Sequence, residues 1–290
     1  MKNIILTLLS VAVFLVSCSS DENETVVNNS EANLIIKFKF DPNQERLNNI
    51  GQPSTIPVGN AAQSPVVSRM SANYIELAPS AFTALGQGEI LYQGAETTQG
   101  GSIAIDFENA QFAGNNQTFV TIPLSDVAAG NYEWVRISLA YQEGGINLIA
   151  NGNEITGTLG SFVGFNNYIT SFNINGSTFN VNDNKLQGFW AFEALGFTSQ
   201  GQAPEGATTV PNPLFNSSPI PQGSCVVTGE FSTPFIITGN ETDDIEVVLS
   251  FSINNSFEWT EVNNDGKYEP AAGEQVVDMG LRGLIPSVSN

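Results

Sequence analysis

The alternation of apolar and polar side chains with a period of two residues restricts the fold of this chain most strongly. Ile36, Phe38 and Phe40 alternate with Lys37 and Lys39, which is the pattern of a strand with one buried face and one exposed face. The longest such run covers residues 131–142. Together with shorter runs it predicts strands near residues 36–40, 74–77, 90–92, 103–107, 119–122, 131–142, 153–159, 168–174, 179–181, 189–192, 226–231, 235–237, 245–253 and 257–260.

Pairs of glycine, asparagine and aspartate separate many of these runs and predict tight turns, because these residues tolerate positive φ angles. The pairs are Gly144-Gly145, Asn151-Gly152, Asn175-Gly176, Gly239-Asn240 and Asp265-Gly266. The one helical candidate, residues 276–284, is interrupted by two glycines and predicts at most a turn or two of helix. We therefore expect an all-β fold, an antiparallel β-sandwich of Greek-key or jelly-roll type with long loops and little helix.

The first residues have the features of a secretory leader. Lys2 precedes an apolar run over residues 4–16 that only Thr7 and Ser10 interrupt. This run is too short to span a bilayer stably and is typical of a signal peptide. The segment Leu15-Val16-Ser17-Cys18 resembles the lipobox of bacterial lipoproteins, which implies that residues 1–17 are removed and that Cys18 is lipidated. The alternative is an ordinary signal peptide with a chance cysteine.

The acidic stretch after Cys18 gives an indication of the cellular location of the protein. Residues 19–24 read Ser-Ser-Asp-Glu-Asn-Glu and resemble the export signal of Bacteroidota surface lipoproteins. The resemblance implies a lipid anchor in the outer membrane and exposure at the cell surface. A solvated tether over residues 18–32 would look the same, and both readings can hold together. The folded domain is then expected over residues 33–290, with a subdivision near residues 143–152 left open.

Composition removes several classes of function. The 290 residues include no histidine, 9 Lys+Arg and 29 Asp+Glu, so Ser-His-Asp catalysis and histidine-ligated zinc or copper are excluded. The formal net charge of −20 argues against nucleic acid as a partner. If Cys18 is lipidated, Cys225 is the one remaining thiol, and we expect it to be a buried, inert core residue.

Residues 261–274 resemble the first half of a calcium-binding turn. Oxygen-bearing side chains alternate before Gly266, as calcium loops require for ligands that converge on one point. The candidate ligands are Glu261, Asn263, Asp265, Lys267 through its carbonyl group, Glu269 and Glu274. Ala272 stands where an EF-hand has its bidentate glutamate, so an acidic β-turn is the alternative. Residues 241–278 hold ten carboxylates and one basic residue, and we expect Arg282 to pair with this acidic cluster.

Three tryptophans are candidates for ligand binding. Trp134, Trp190 and Trp259 each lie in a predicted strand, where exposed rings could stack on a sugar and buried rings would fill the core. A carboxylate pair could instead make a glycan-active enzyme, and Asp106, Glu108 and Glu193 lie in strand-like segments.

A further resemblance concerns residues 33–142. The strand over residues 34–40, the segment Tyr74-Ile75-Glu76-Leu77 and the run over residues 127–132 that leads into the long strand are similar to the methanobactin-associated, copper-binding MbnP-like β-sandwich family. The resemblance implies a sandwich, but that family's copper chemistry uses histidine, and no copper ligand can be carried over. We thus expect a non-catalytic surface lipoprotein, stabilised by calcium, that acts as a binding or accessory module for a glycan or a protein. The alternatives are a carboxylate-dependent glycan-active enzyme and a structural partner of an outer-membrane transport or secretion assembly.

Overall fold

The computed structural model describes residues 32–48, 50–203, 220–221 and 223–289. The leader, the lipidation site and nearly all of the tether lie outside the described residues. Residues 31–290 form one compact unit. No helix in the described part of the chain is long and apolar enough to cross a membrane.

The described residues form eighteen strands and a few short 3₁₀ turns, which confirms the all-β class. The strands are β1 Asn33–Asp41, β2 Asn60–Gln63, β3 Val66–Ala78, β4 Glu89–Gln93, β5 Glu96–Thr97, β6 Ala104–Asp106, β7 Gln117–Pro123, β8 Gly130–Ala150, β9 Asn153–Phe162, β10 Asn166–Ile174, β11 Ser177–Leu186, β12 Phe189–Ala194, β13 Phe197–Gln202, β14 Cys225–Ile237, β15 Ile245–Ser252, β16 Phe257–Thr260, β17 Val276–Asp278 and β18 Leu284–Ser289.

The strands associate into four sheets, mostly with antiparallel neighbours. The largest, which we call the main sheet, has the order β13-β12-β9-β8-β3-β4, and β14 also pairs with β8. The other sheets are β18-β15-β1-β7, β11-β10-β6-β5 and β17-β16-β2. Two pairs are parallel, β1 with β15 and β10 with β6. This layering is consistent with a β-sandwich.

The main sheet carries different layers along its length. Its β3, β8 and β14 region packs against the β18-β15-β1-β7 sheet around a core that includes Phe38, Ile137 and Phe251. On its other face, the β9 and β12 region packs against β10 and β11 through an aromatic core that includes Phe162 and Phe172. The side of β9, β12 and β13 that faces away from this aromatic core is not covered by the β18-β15-β1-β7 sheet.

Strand β8 is longer than the sequence pattern predicts. The turn expected at Gly144-Gly145 is wrong, because β8 runs through both residues in register with β3 and β9. A Cβ atom on Gly144 would come within 2.9 Å of the Val66 carbonyl oxygen, so glycine here permits a close approach of two strands. The turns at Asn151-Gly152 and Asn175-Gly176 are confirmed, with positive φ at all four residues.

The segment at residues 276–284 also differs from expectation. It contains no helix and instead supplies β17 and the start of β18. Gly283 has a φ of +89° and lies against Leu47, where a Cβ atom would come within 2.3 Å of the Leu47 Cβ atom. Glycine therefore permits the sharp approach to β18 at this position.

Candidate ligand-binding cavity

A cavity of about 1530 Å³ lies on the face of the main sheet that is turned away from the aromatic core, between this face and the β17-β16-β2 sheet. Its floor consists of side chains from β8, β9, β12 and β13, with Ile146 and Leu159 among them. Its other walls come from Phe257 and Glu258 on β16 and from three further segments, whose lining residues are 46–48, 54, 55, 57, 268, 270, 271 and 275–283. Cavities lined mainly by apolar side chains with a few polar groups are the usual form of ligand sites.

Three aromatic side chains form a row along the cavity floor. Trp190 and Phe192 are two residues apart on β12 and so point to the same face. Phe197 on β13 is paired with Ala194, which lies two residues after Phe192 on β12. Phe197 is therefore on the same face, one strand repeat beyond Phe192. Since side chains on one face of a strand repeat about every 6.6–6.8 Å, the row extends roughly 13 Å. We call Trp190, Phe192 and Phe197 the aromatic row.

The first two rings of this row pack against glycines in the neighbouring strands. A Cβ atom on Gly201, opposite Trp190 on β13, would come within 2.7 Å of the indole ring. A Cβ atom on Gly157 would come within 2.1 Å of the Phe192 ring. The rings therefore pack onto the backbone of neighbouring strands, which holds them in place beside the cavity. Phe197 is 68% exposed.

A group of four charges, two buried carboxylates and two partly buried arginines, forms part of the opposite wall. The Glu258 Oε2 atom accepts hydrogen bonds from Nη2 of Arg46 at 3.2 Å and from Nη2 of Arg282 at 3.3 Å. Asp278 pairs with Arg282 at 2.5 Å. The two positive and two negative charges balance. The contacts of Arg282 with Glu258 and Asp278 confirm its expected pairing with the acidic cluster. We call Arg46, Glu258, Asp278 and Arg282 the charge cluster.

Burial perturbs this cluster. Desolvation lowers the pKa of Arg46 from its ordinary value, and the nearby charge of Arg282 lowers it further. The other Glu258 oxygen, Oε1, accepts a hydrogen bond from Asn60 Nδ2 at 2.7 Å, and Asp278 Oδ1 accepts one from the backbone N–H of Gly280 at 2.7 Å. Both carboxylates thus accept hydrogen bonds from fixed donors as well as from the arginines, an arrangement that suits structural support of the cavity wall.

The acidic loop over residues 261–274 lies beside the cavity and is closed by its own hydrogen bonds. Glu261 accepts from the N–H groups of Asn264 at 2.8 Å and Gly266 at 3.2 Å. Glu274 is buried and accepts from the N–H groups of Val262 at 3.2 Å and Glu269 at 2.6 Å.

The remaining candidate ligands lie on the outer side of the loop. Asn263 donates to Glu269 at 2.8 Å, Asp265 accepts from the Lys267 N–H at 2.9 Å, and the Lys267 ammonium lies 3.4 Å from Glu154. Within residues 32–289 as described, no group of three or more Cys, Asp or Glu side chains is arranged to hold a metal ion. Calcium binding stays a prediction.

The three tryptophans do not share one surface. Trp190 lines the cavity, whereas Trp134 is partly buried on β8 and is not part of the cavity wall. Trp259 is 0% exposed, is not part of the cavity wall, and packs against Phe257 and Tyr268 in the buried cluster against which Phe192 also packs. Phe192 and Phe197, rather than Trp134 and Trp259, accompany Trp190. The two-residue spacing of Trp190 and Phe192 is the signal in the sequence that could have identified this pair.

The carboxylates singled out for an enzymatic alternative are not among the residues that line the cavity. Glu193 is buried and accepts from the Gly196 N–H at 2.7 Å and from Asn175. Asp106 accepts from Asn109 at 2.9 Å, and Glu108 lies in the following 3₁₀ turn. Cys225 is buried, as expected, and burial raises the pKa of its thiol to about 12. A thiol in this state is a poor nucleophile.

Comparison with known proteins adds no assignment, because no family model, no curated protein and no solved structure matches this chain.

Proposed function

We propose that this chain is a non-catalytic lipoprotein of the outer-membrane surface that binds a neutral glycan in the cavity. The observation that carries the proposal is the aromatic row on the cavity floor. Flat aromatic rings offer large apolar contact areas at a low cost in conformational entropy, and the apolar faces of sugar rings suit such surfaces. A row of about 13 Å, set by the strand repeat, favours an extended chain of sugars over a single ring.

The charge distribution supports a neutral ligand. The formal net charge of −20 would repel a polyanionic glycan during association. Within the cavity, each arginine of the charge cluster already has a carboxylate partner. Polar side chains near the aromatic row, among them Ser199 and Gln202, offer groups that can bind sugar hydroxyls.

The anchor and the calcium ion complete the proposal. The lipobox sequence ending at Cys18 supports lipidation, and the acidic residues that follow support export to the cell surface. Replacing Cys18 by alanine should abolish labelling by radioactive palmitate and release the protein from membranes. The oxygen-rich sequence of residues 261–274 supports a calcium ion that stabilises the loop beside the cavity.

Affinity electrophoresis in native gels tests the binding function. The gels contain starch, xylan, galactomannan or laminarin, and the proteins are the wild type, Trp190→Ala and Trp134→Ala. We expect at least one polysaccharide to retard the wild type, Trp134→Ala to be retarded equally, and Trp190→Ala to run as in a gel without polysaccharide. Absence of retardation in all four gels, or equal retardation of Trp190→Ala, would overturn the proposal.

A further inference from the structure

Tyr268 differs from the other five tyrosines of the chain in that no residue of the described part binds its hydroxyl group. Four of the others donate hydrogen bonds to oxygen atoms of the protein, and the backbone N–H of Gln111 donates one to Tyr92. The four bonds are from Tyr74 to Glu76 at 3.0 Å, from Tyr132 to the Ala128 carbonyl oxygen at 2.8 Å, from Tyr141 to Glu143 at 2.8 Å and from Tyr168 to Asn182 at 3.1 Å. Since tyrosine hydroxyls in the protein interior usually find a partner, the exception indicates a hydroxyl group that is open to an external one.

The hydroxyl oxygen of Tyr268 is accessible to a ligand. Tyr268 is half-buried and lines the cavity. The described residues include several buried polar atoms without a partner, such as Nε1 of Trp259, but the hydroxyl oxygen of Tyr268 is not among them. Solvent therefore reaches this oxygen, and a molecule in the cavity can replace that solvent.

The Tyr268 side chain is held in a defined position. Its ring packs edge-on against Phe257 with 5.2 Å between the ring centres, and its centre lies 5.6 Å from that of Trp259. The backbone carbonyl oxygen of Tyr268 accepts a hydrogen bond from the N–H of Ile149 on β8 at 2.7 Å. A hydroxyl group that is already placed costs little entropy when it binds a ligand.

Tyr268 lies close to the middle ring of the aromatic row. Tyr268 and Phe192 both pack against the buried cluster of Ile146, Phe257 and Trp259. A sugar ring has two apolar faces and carries its hydroxyl groups around its edge. A sugar stacked on Phe192 therefore turns hydroxyl groups towards the side walls of the cavity, and Tyr268 is part of such a wall.

The Tyr268 hydroxyl stays neutral. Burial raises the pKa of Tyr268 above its ordinary value, and the negative charge of Glu274 raises it further. Near pH 7 the hydroxyl therefore keeps its proton and can both donate and accept a hydrogen bond. A sugar hydroxyl is a complementary partner, since it also donates and accepts.

We propose that Tyr268 is a specificity-determining residue of the cavity, and that its hydroxyl group binds a hydroxyl group of the sugar that stacks on Phe192. This role rests on the proposed glycan function and adds the residue that distinguishes a sugar from an apolar ligand of similar shape. The aromatic row alone would bind both. An apolar ligand would leave the Tyr268 hydroxyl desolvated and unpaired, which lowers the affinity for that ligand.

Calorimetric titration of the full protein compares the wild type with Tyr268→Phe, which removes one oxygen atom. The ligand is whichever of starch, xylan, galactomannan and laminarin retards the wild type in native gels. We expect Tyr268→Phe to bind about three- to tenfold more weakly. Its melting temperature should stay within about 1 °C of the wild-type value, because no hydrogen bond within the protein is lost.

Tyr132→Phe is the matched control. Tyr132 is 5% exposed, lies outside the cavity wall and donates its hydroxyl proton to the Ala128 carbonyl oxygen. Its replacement should lower the melting temperature by about 2–4 °C, since a hydrogen bond within the protein is lost. The affinity of Tyr132→Phe for the polysaccharide should equal that of the wild type.

Equal affinities of the wild type and Tyr268→Phe would overturn the proposed role of Tyr268, while the glycan function would stand. A decrease in melting temperature for Tyr268→Phe as large as that for Tyr132→Phe would also overturn it, because the hydroxyl would then have a partner within the protein. If none of the four polysaccharides retards the wild type, the glycan function fails and the role of Tyr268 fails with it.

Discussion

Replacing Glu258 by alanine should strongly destabilise the protein, because both arginines of the charge cluster pair with this carboxylate. Glu258 is 4% exposed, and its Oε2 atom is shared by Arg46 and Arg282. Without it, Arg46 keeps only backbone carbonyl partners at Asn254 and Asn255. Arg282 would still have Asp278. Arg46, whose side chain is only 10% exposed, is therefore left without an anion.

The size of the effect follows from that uncompensated charge. Breaking a buried ion pair by removing one partner costs about 3–5 kcal/mol. For a domain of this size, each kcal/mol lowers the melting temperature by roughly 2–4 °C, so we expect a decrease of about 6–20 °C. Circular dichroism at pH 7 measures the shift.

An exposed ion pair supplies the control for this measurement. Glu154 and Lys267 are 3.4 Å apart, and both side chains are 55% exposed. Exposed pairs contribute about 1 kcal/mol or less, so Glu154→Ala should change the melting temperature by no more than a few degrees. If Glu258→Ala has an effect as small as that of Glu154→Ala, the charge cluster does not stabilise the cavity wall.

Three further predictions concern other parts of the fold. Gly283→Ala should lower the free energy of unfolding by about 2 kcal/mol or more, because the residue has a positive φ and a Cβ atom would clash with Leu47. Gly176 has a similar φ but open space around it, so Gly176→Ala should lower the free energy of unfolding by less. Denaturant titrations measure both values. Cys225 should react with iodoacetamide at pH 8 at least 100-fold more slowly in the folded than in the unfolded protein, since a thiol with a pKa of about 12 is almost entirely protonated. Mass spectrometry of the peptide that contains Cys225 measures both rates, and comparable rates would show that the thiol is not buried. EDTA should lower the melting temperature and added calcium should restore it if residues 261–274 bind the ion. Identical unfolding curves with EDTA and with calcium would show that the protein does not bind calcium.

Local periodicity predicted much of the fold. The alternation in residues 36–40 corresponds to β1, in which Ile36, Phe38 and Phe40 are buried. The same reasoning failed at Gly144-Gly145, because a glycine pair that permits a turn also permits close packing of two strands. Only the position of β3, distant in the sequence, decides between these outcomes.

The cavity was less accessible to sequence reasoning. The alternation around Trp190 and Phe192 shows that the two rings share a face, but it does not show which face meets a second sheet. That depends on where the β18-β15-β1-β7 sheet ends. The charge cluster brings together residues 46, 258, 278 and 282, and its contacts depend on the tertiary fold. The sequence indicated only that Arg282 would meet acidic residues.

If the aromatic row binds a neutral glycan, the exposed ring of Phe197 should contribute to the affinity. Phe197 is 68% exposed, so its removal should not disturb the core. Phe82 is 98% exposed and is not part of the cavity wall, which makes it the matched control. With the polysaccharide that retards the wild type, calorimetric titration should show affinity at least tenfold weaker for Phe197→Ala, a loss of about 1.4 kcal/mol, and unchanged for Phe82→Ala. Equal affinities for the wild type and Phe197→Ala would show that the aromatic row does not bind the polysaccharide.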